Sequence, residues 1–247
     1  MNKNIFLAIV LALTLSSCGI YYKPQAVDIP LINHQGDLRI DGSLSLSTFV
    51  IFPSSMGAHL TASYGITDHI AGQVYLSTET LKGGMGHLAV GGYLPLDKFV
   101  LEGYLGAGWG YAPGSDNANE PPETAENSSI LYTTKPAGGQ YATGFLQFNA
   151  GWVGLAKGHI DLGFGLKGGV LKPDFADNRW SYNSSTDSWS CEAKRYTSLT
   201  PIAEPQLMFR VGGENLKFTI KAGLLFASEA EFVYSNVTLA LGMNYRF

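Results

Sequence analysis

The chain ends in the run that decides its fold, Val237-Thr238-Leu239-Ala240-Leu241-Gly242-Met243-Asn244-Tyr245-Arg246-Phe247. Large apolar side chains occupy every odd position of this run, while small or polar side chains and one arginine occupy the even positions. Because successive side chains of a β-strand point to opposite faces, this alternation predicts a strand with one apolar and one polar face.

The same alternation recurs nine times earlier in the chain, and helical periodicity is absent. The ten predicted strands are residues 38–50, 57–66, 70–76, 85–94, 99–111, 142–155, 159–171, about 200–211, 216–226 and 232–247. The connections between them alternate between short ones, at residues 67–69, 95–98, 156–158 and 212–215, and longer ones, at residues 51–56, 77–84, 112–141, 172–199 and 227–231. This order predicts sequential antiparallel strands, because antiparallel neighbours can be joined by short turns.

Composition narrows the class of protein. Of the 247 residues, 15% are charged, against about a quarter in an ordinary soluble domain. The formal net charge of −4 offers no basic stripe for nucleic acid, so we expect no nucleic-acid partner. Two cysteines are too few for a disulfide framework or a cysteine-rich zinc site.

Alternation alone leaves open which face points inward. A soluble sandwich or a lipocalin-like barrel turns its apolar face inward, whereas a membrane barrel turns it outward. The polar faces here consist mostly of Gly, Ser, Thr, Asn and Gln, which suits a narrow lumen better than a water-facing surface. Aromatic residues stand near the ends of the runs, as in the girdles of membrane barrels: Tyr64, Phe99, Trp109, Trp152, Phe226, Phe232 and Tyr245. We therefore predict an all-β, ten-stranded, antiparallel up-and-down transmembrane β-barrel.

The first residues read as a targeting segment. Lys3 precedes a short apolar run that cannot span a bilayer as a helix, which needs about 20 residues. The following Leu15-Ser16-Ser17-Cys18 resembles the bacterial lipobox, and this resemblance implies cleavage before Cys18 and lipidation of its sulfur. An ordinary signal peptide is the alternative. We expect a signal peptide at residues 1–17, a lipid-anchored periplasmic tether at 18–36 and the barrel at 37–247.

The carboxyl terminus carries a second resemblance. Asn244-Tyr245-Arg246-Phe247 resembles the last strand of bacterial outer-membrane barrels, which closes on an aromatic residue. That resemblance implies a Gram-negative outer membrane, contact with its lipid, and recognition by the barrel-assembly machinery. The tether and first hairpin also resemble a group of lipidated Gram-negative barrel proteins, which implies location and fold but no activity. With ten strands and short periplasmic turns, we expect both termini in the periplasm.

Strand parity assigns charged side chains to the lumen. The cations are Arg39, Lys167, Arg210, Lys217, Lys221 and Arg246, and the anions are Asp41, Glu102, Asp161 and Glu204. These charges either pair and plug the lumen or line a narrow anion-preferring pore. Pro205 cannot donate a hydrogen bond to a neighbouring strand, so we expect a bulge or a strand end there.

Catalysis is a third possibility, because membrane-embedded hydrolases exist. His59 and His87 face inward on strands two apart, about 9.5 Å from each other, with Ser77 and Glu79 in the adjacent loop as a nucleophile and a further carboxylate. Outer-membrane aspartyl protease barrels share the strand number, but their paired carboxylates have no convincing counterpart. Nucleotide, zinc-protease and serine-hydrolase motifs are absent from the sequence, and we expect no cofactor and no metal.

The two long loops are the better candidates for function. The loop at 172–199 carries the aromatic residues Trp180, Tyr182, Trp189 and Tyr196, which predict an extracellular recognition surface for an unknown ligand. Packing of these rings against each other is the alternative. Cys191 in the same loop is either free or paired between chains. The leading hypothesis is a non-enzymatic structural or surface-binding lipoprotein, followed by the pore and then the hydrolase.

Overall fold

The computed structural model describes residues 21–23, 29–49, 52–79, 83–122, 132–228, 230–232 and 234–247. No helix in that part of the chain is long and apolar enough to cross a membrane. The strands are β1 (Leu38–Phe49), β2 (Phe52–Gly65), β3 (Ile70–Glu79), β4 (Gly83–Leu96), β5 (Phe99–Ala112), β6 (Tyr132–Leu155), β7 (Ile160–Asn183), β8 (Ser188–Tyr196), β9 (Thr200–Gly212), β10 (Leu216–Leu224), β11 (Phe226–Ala227) and β12 (Val237–Arg246).

Ten of these strands close into an antiparallel barrel, as predicted. The wall runs from β1 through β7 in chain order, continues through β9, β10 and β12, and returns to β1. Closure is made by β12 against β1, where Leu241 lies opposite Leu44. Each wall strand therefore has two hydrogen-bonding neighbours, which an apolar surrounding requires because lipid cannot satisfy backbone groups.

The faces of the wall are inverted relative to a soluble protein. Leu105 and Leu241 on the outer face are 62% and 56% exposed, whereas Arg39 and Glu204 on the inner face are 1% and 0% exposed. Water-facing Leu side chains would lose the stabilisation that burial gives elsewhere, so this surface fits a hydrocarbon layer. The predicted outward direction of the apolar face is what the structure shows.

The two ends of the barrel differ. The short connections, at residues 66–69, 97–98, 156–159 and 213–215, lie together with the start of β1 and the end of β12 at what we call the turn end. At the opposite end, β7 continues beyond the wall and pairs with β8, with Trp180 opposite Cys191. We call this the hairpin end.

The predicted loops at 112–141 and 172–199 are wrong in part, because β6 begins at Tyr132 and β7 continues to Asn183. Beyond the wall both faces of a strand carry polar residues, so the alternation that marks a strand is lost. In β6 a register shift between Pro136 and Gly138 also changes the phase of the alternation. The sequence signal therefore began only at residue 142.

Pro205 interrupts a neighbouring strand rather than its own. β9 runs through Pro205, which lies opposite Leu166 of β7 without a register shift. On the other side, pairing between β9 and β10 stops at Gln206, and β10 itself ends at Leu224. Pro205 thus lies where β10 ends, and its missing N–H leaves no hydrogen bond to β10 unmade.

Phe232 is a correction to the predicted aromatic girdle. Its ring is buried and lies 5.2 Å from the ring of Phe175, inside the barrel. Five other predicted girdle residues are exposed on the outer face: Tyr64, Trp109, Trp152, Phe226 and Tyr245.

Substituting Leu241→Arg in the middle of β12 is expected to lower the free energy of unfolding by about 2–4 kcal/mol, because a charge on the lipid face costs most near the bilayer midplane. The matched control is Leu216→Arg at the turn end of β10, which should cost about 0–1 kcal/mol because the interface is close. Denaturant unfolding of the barrel in phospholipid vesicles measures both. Equal costs at the two positions would contradict the assigned membrane depth.

Candidate functional site

Part of the amino-terminal segment, residues 29–32, lies inside the barrel. Ile29, Leu31 and Ile32 are fully buried. Leu31 packs with Val100 in an interior apolar cluster, and the backbone N–H of Ile32 donates a 2.7 Å hydrogen bond to Glu102 Oε1. The described part of the expected tether, residues 21–23 and 29–36, therefore contacts the barrel, and its lipid anchor and periplasmic position stay predictions.

Glycines on the inner face of the wall make room for this segment. A Cβ added at Gly163 would lie 2.9 Å from Ile29 Cγ2, and one added at Gly151 would lie 2.9 Å from Leu31 Cδ1. Contacts this short require the neighbours to shift. Gly151 of β6, together with Gly163 and Gly165 of β7, thus forms a docking groove for Ile29 and Leu31.

The described parts of the segment reach both ends of the lumen. At the hairpin end, the Tyr21 hydroxyl donates hydrogen bonds to Asp177 and to the Ala176 carbonyl. At the turn end, Arg246 Nη2 lies 2.5 Å from Asn33 Oδ1 and 2.9 Å from His34 Nε2. Tyr21 and the carboxyl terminus therefore lie at opposite ends of the barrel. Cys18 and the lipobox lie outside the described residues.

The ten predicted lumen charges all lie inside the barrel. Nine are buried and Arg246 is partly exposed at the turn end. The ion pairs are Lys167–Glu204 (3.0 Å), Lys217–Asp161 (2.5 Å), Lys221–Asp41 (2.5 Å), Arg210–Asp41 (3.8 Å) and Arg39–Asp161 (4.0 Å). The charges in these pairs are tolerated in the interior because each of them meets an opposite charge.

Sequence reasoning missed Asp37 as a member of this network. Its carboxylate accepts hydrogen bonds from Arg39 Nε at 3.4 Å and Arg246 Nε at 2.8 Å. The signal was present, because Asp37 shares parity with Arg39 and Asp41 at the start of the first strand. The Glu102 carboxylate is held differently, by the Ile32 amide and by Asn149 Nδ2 at 2.9 Å.

The two candidate catalytic histidines lie in one row of interior rings. The ring of Tyr75 sits between them, 5.8 Å from His59 and 5.3 Å from His87. His59 Nε2 lies 2.5 Å from Ser45 Oγ, and its Nδ1 lies 2.5 Å from the Tyr75 hydroxyl. The structure therefore brings Ser45 to His59 in place of the predicted Ser77, and the side chain of Glu79 lies outside the described ones.

The contact between Ser45 and His59 has the geometry of a nucleophile with a base. The side chains of Ser45, His59 and Tyr75, which these two hydrogen bonds connect, are all buried. Beyond His87 the row continues to Phe145, and the centroids of these two rings are 5.1 Å apart. The Lys167 Nζ lies over the Phe145 ring, 5.1 Å from its centroid. These side chains line the inner face of the wall from β1 to β7. Within the described residues, no three His, Cys, Asp or Glu side chains are grouped to hold a metal ion.

The four aromatic residues predicted for recognition separate into two pairs. Trp180 and Tyr196 are buried: the Trp180 indole donates to the Ala118 carbonyl at 3.1 Å, and the Tyr196 hydroxyl donates to Asp177 at 2.6 Å. Burial, together with the Asp177 hydrogen bond, raises the pKa of Tyr196 to about 12. These two rings hold the hairpin in place and are not available to a ligand.

The other pair, Tyr182 and Trp189, lies further out on the hairpin and is partly exposed. Their ring centroids are 5.3 Å apart, and the residues are directly paired between β7 and β8. Cys191, two residues along β8, is exposed and free. The part of the predicted recognition surface that can meet a ligand is therefore this aromatic pair.

The fold is that of a transmembrane β-barrel of the Gram-negative outer-membrane type. The outer membrane protease OmpT from Escherichia coli superposes with a TM-score of 0.52 at 9% identity, over 90% of this chain and all of that one. Ail of Yersinia pestis is 12% identical with a TM-score of 0.34, over 86% of this chain and 99% of that one. No protein-family model and no curated protein matches the chain.

Substituting Gly163→Val is expected to displace Ile29 and to lower the free energy of unfolding by about 1–3 kcal/mol, as overpacking does. The displaced segment should also expose Lys23, which is buried in the wild type, to trypsin. The matched control is Gly144→Val, because a Cβ at Gly144 meets nothing within 4 Å. Unfolding in vesicles and mass analysis of tryptic fragments measure the two effects. If both variants resisted trypsin at Lys23 as the wild type does, the docking groove would be refuted.

Proposed function

We propose that this chain is a non-enzymatic lipoprotein of the Gram-negative outer membrane, anchored by acyl chains on Cys18, whose filled barrel supports a surface-binding hairpin. The short connections of the turn end favour a periplasmic position for that end. Phe247 then lies in the periplasm, where the barrel-assembly machinery would recognise the last strand. The hairpin end faces the cell exterior.

The filled lumen is the observation that carries this proposal. Ile29 and Leu31 occupy the interior, and Lys167, Lys217 and Lys221 each have a carboxylate oxygen within 3.0 Å. An anion-preferring pore needs cations that face an open path, so paired cations and a packed interior favour the structural alternative. The buried position of the Ser45–His59 contact likewise gives a hydrolase less support.

A barrel with a packed interior meets other molecules through the parts that project from it. Tyr182 and Trp189 offer two adjacent, partly exposed rings on the projecting hairpin. Aromatic side chains of this kind provide large contact areas at low entropic cost and often dominate binding energy. The hydroxyls of Ser181 and Ser190, 2.8 Å apart, belong to the neighbouring cross-strand pair and lie on the opposite face of the hairpin. The aromatic pair by itself suits a ligand that has an apolar face.

Binding of whole cells to an array of glycans and extracellular-matrix proteins tests this proposal. Cells that express the wild-type chain should be retained above vector-only cells, and the Tyr182→Ala/Trp189→Ala variant should lose that retention because both ring faces are removed. The control is Tyr132→Ala, which removes an exposed ring that lies opposite Ser181 on the neighbouring strand.

Labelling of the exposed Cys191 with a membrane-impermeant maleimide compares the amounts of each variant at the surface. Equal retention of the wild type and the double variant would refute the role of the hairpin. Retention no higher than that of vector-only cells would count against a surface-binding function as a whole.

A further inference from the structure

The route of the amino-terminal segment determines where the lipid anchor lies. Tyr21 is buried at the hairpin end, where its ring stacks on Phe175 at a centroid distance of 4.7 Å. The Tyr22 hydroxyl donates a 2.8 Å hydrogen bond to Glu204, four residues after the start of β9 at the same end. From there the segment descends to His34 at the turn end. The chain therefore enters the lumen from the hairpin end.

Contacts near the mouth hold this entry in place. The backbone N–H of Ser235 donates to the Tyr22 carbonyl at 3.0 Å, and Tyr22 bridges to Tyr234 in a parallel arrangement. On the opposite side, Tyr21 shares the Asp177 carboxylate with Tyr196. The segment is thus fixed between the strand that carries the hairpin and the chain that precedes β12.

Chain length then decides which leaflet Cys18 can reach. Three residue steps separate Cys18 from Tyr21, and three extended residues span at most about 11 Å. The apolar band of an outer-membrane barrel is about 25 Å tall. A chain at the hairpin end cannot reach the opposite leaflet within that length, and residues 29–32 already occupy the way back through the lumen.

We propose that the chain threads its own barrel, so that the acyl chains on Cys18 insert into the outer leaflet and the amino terminus lies at the cell surface. This inference rests on the lipid anchor and the orientation of the proposed function. The lipid and the aromatic pair of the hairpin then lie on the same side of the membrane. The lipid on Cys18 then anchors the barrel to the outer leaflet, and residues 21–23 and 29–36 occupy the lumen.

Site-directed thiol labelling in intact cells tests the inference. In a Cys191→Ser background, which removes the exposed thiol of the hairpin, Ile20→Cys places a thiol beside Tyr21. A membrane-impermeant maleimide should label Ile20→Cys equally before and after permeabilisation. The matched control Glu214→Cys, on an exposed turn-end connection, should be labelled only after permeabilisation. Cys191 of the wild type reports the orientation of the barrel in the same assay.

Incorporation of radiolabelled palmitate, lost in Cys18→Ala, separates failure of the inference from failure of the lipid anchor. Palmitate incorporation with Ile20→Cys labelled only after permeabilisation, while Cys191 is labelled in intact cells, would overturn the threading and leave the anchor intact. Absence of palmitate would overturn both. If Ile20→Cys did not assemble, Gly19→Cys provides the same readout one residue further from the lumen.

Discussion

A closed ring of backbone hydrogen bonds is the constraint on which the rest of the structure depends. Hydrocarbon offers no hydrogen-bonding partners for backbone N–H and C=O groups, so the first and last strands of a sheet in lipid must pair with each other. β12 meets that condition by pairing with β1 over ten residue pairs. Once the sheet is closed, every second side chain points into a narrow interior. The charges there must then find one another, because bulk water cannot solvate them.

Ten strands enclose slightly more space than their own side chains fill, and residues 29–32 occupy the remainder. The side chains of Ile29 and Leu31 pack against glycines of the wall. The backbone N–H of Ile32 donates a hydrogen bond to the Glu102 carboxylate. Residues 29–32 and the glycines of the wall therefore stabilise each other. The filled interior is the reason why we propose the projecting hairpin, and not the lumen, as the binding site.

Features that depend on local periodicity are predicted well from the sequence. The alternation in β12 and the parity of Arg39 and Asp41 involve only neighbouring residues. The route of residues 21–36 was not predictable in this way, because no periodicity marks a segment that docks on glycines more than a hundred residues later. Trp180 is a similar case, since its burial depends on a hydrogen bond to Ala118, 62 residues away. The start of β6 was not predicted either, because a register shift near Pro136 changes the phase in which apolar and polar residues alternate.

Methyl NMR in lipid nanodiscs tests the central claim most directly, namely that the wall is inverted around a lumen filled by the amino-terminal segment. With Ile, Leu, Val and Met methyls labelled in otherwise deuterated protein, we expect nuclear Overhauser effects from acyl chains to Leu105, Leu207 and Leu241. The methyls of Ile29 and Leu31 should show contacts to Met208 and Val153 and none to lipid or water. Lipid contacts at Ile29, or their absence at Leu105 and Leu241, would contradict the account.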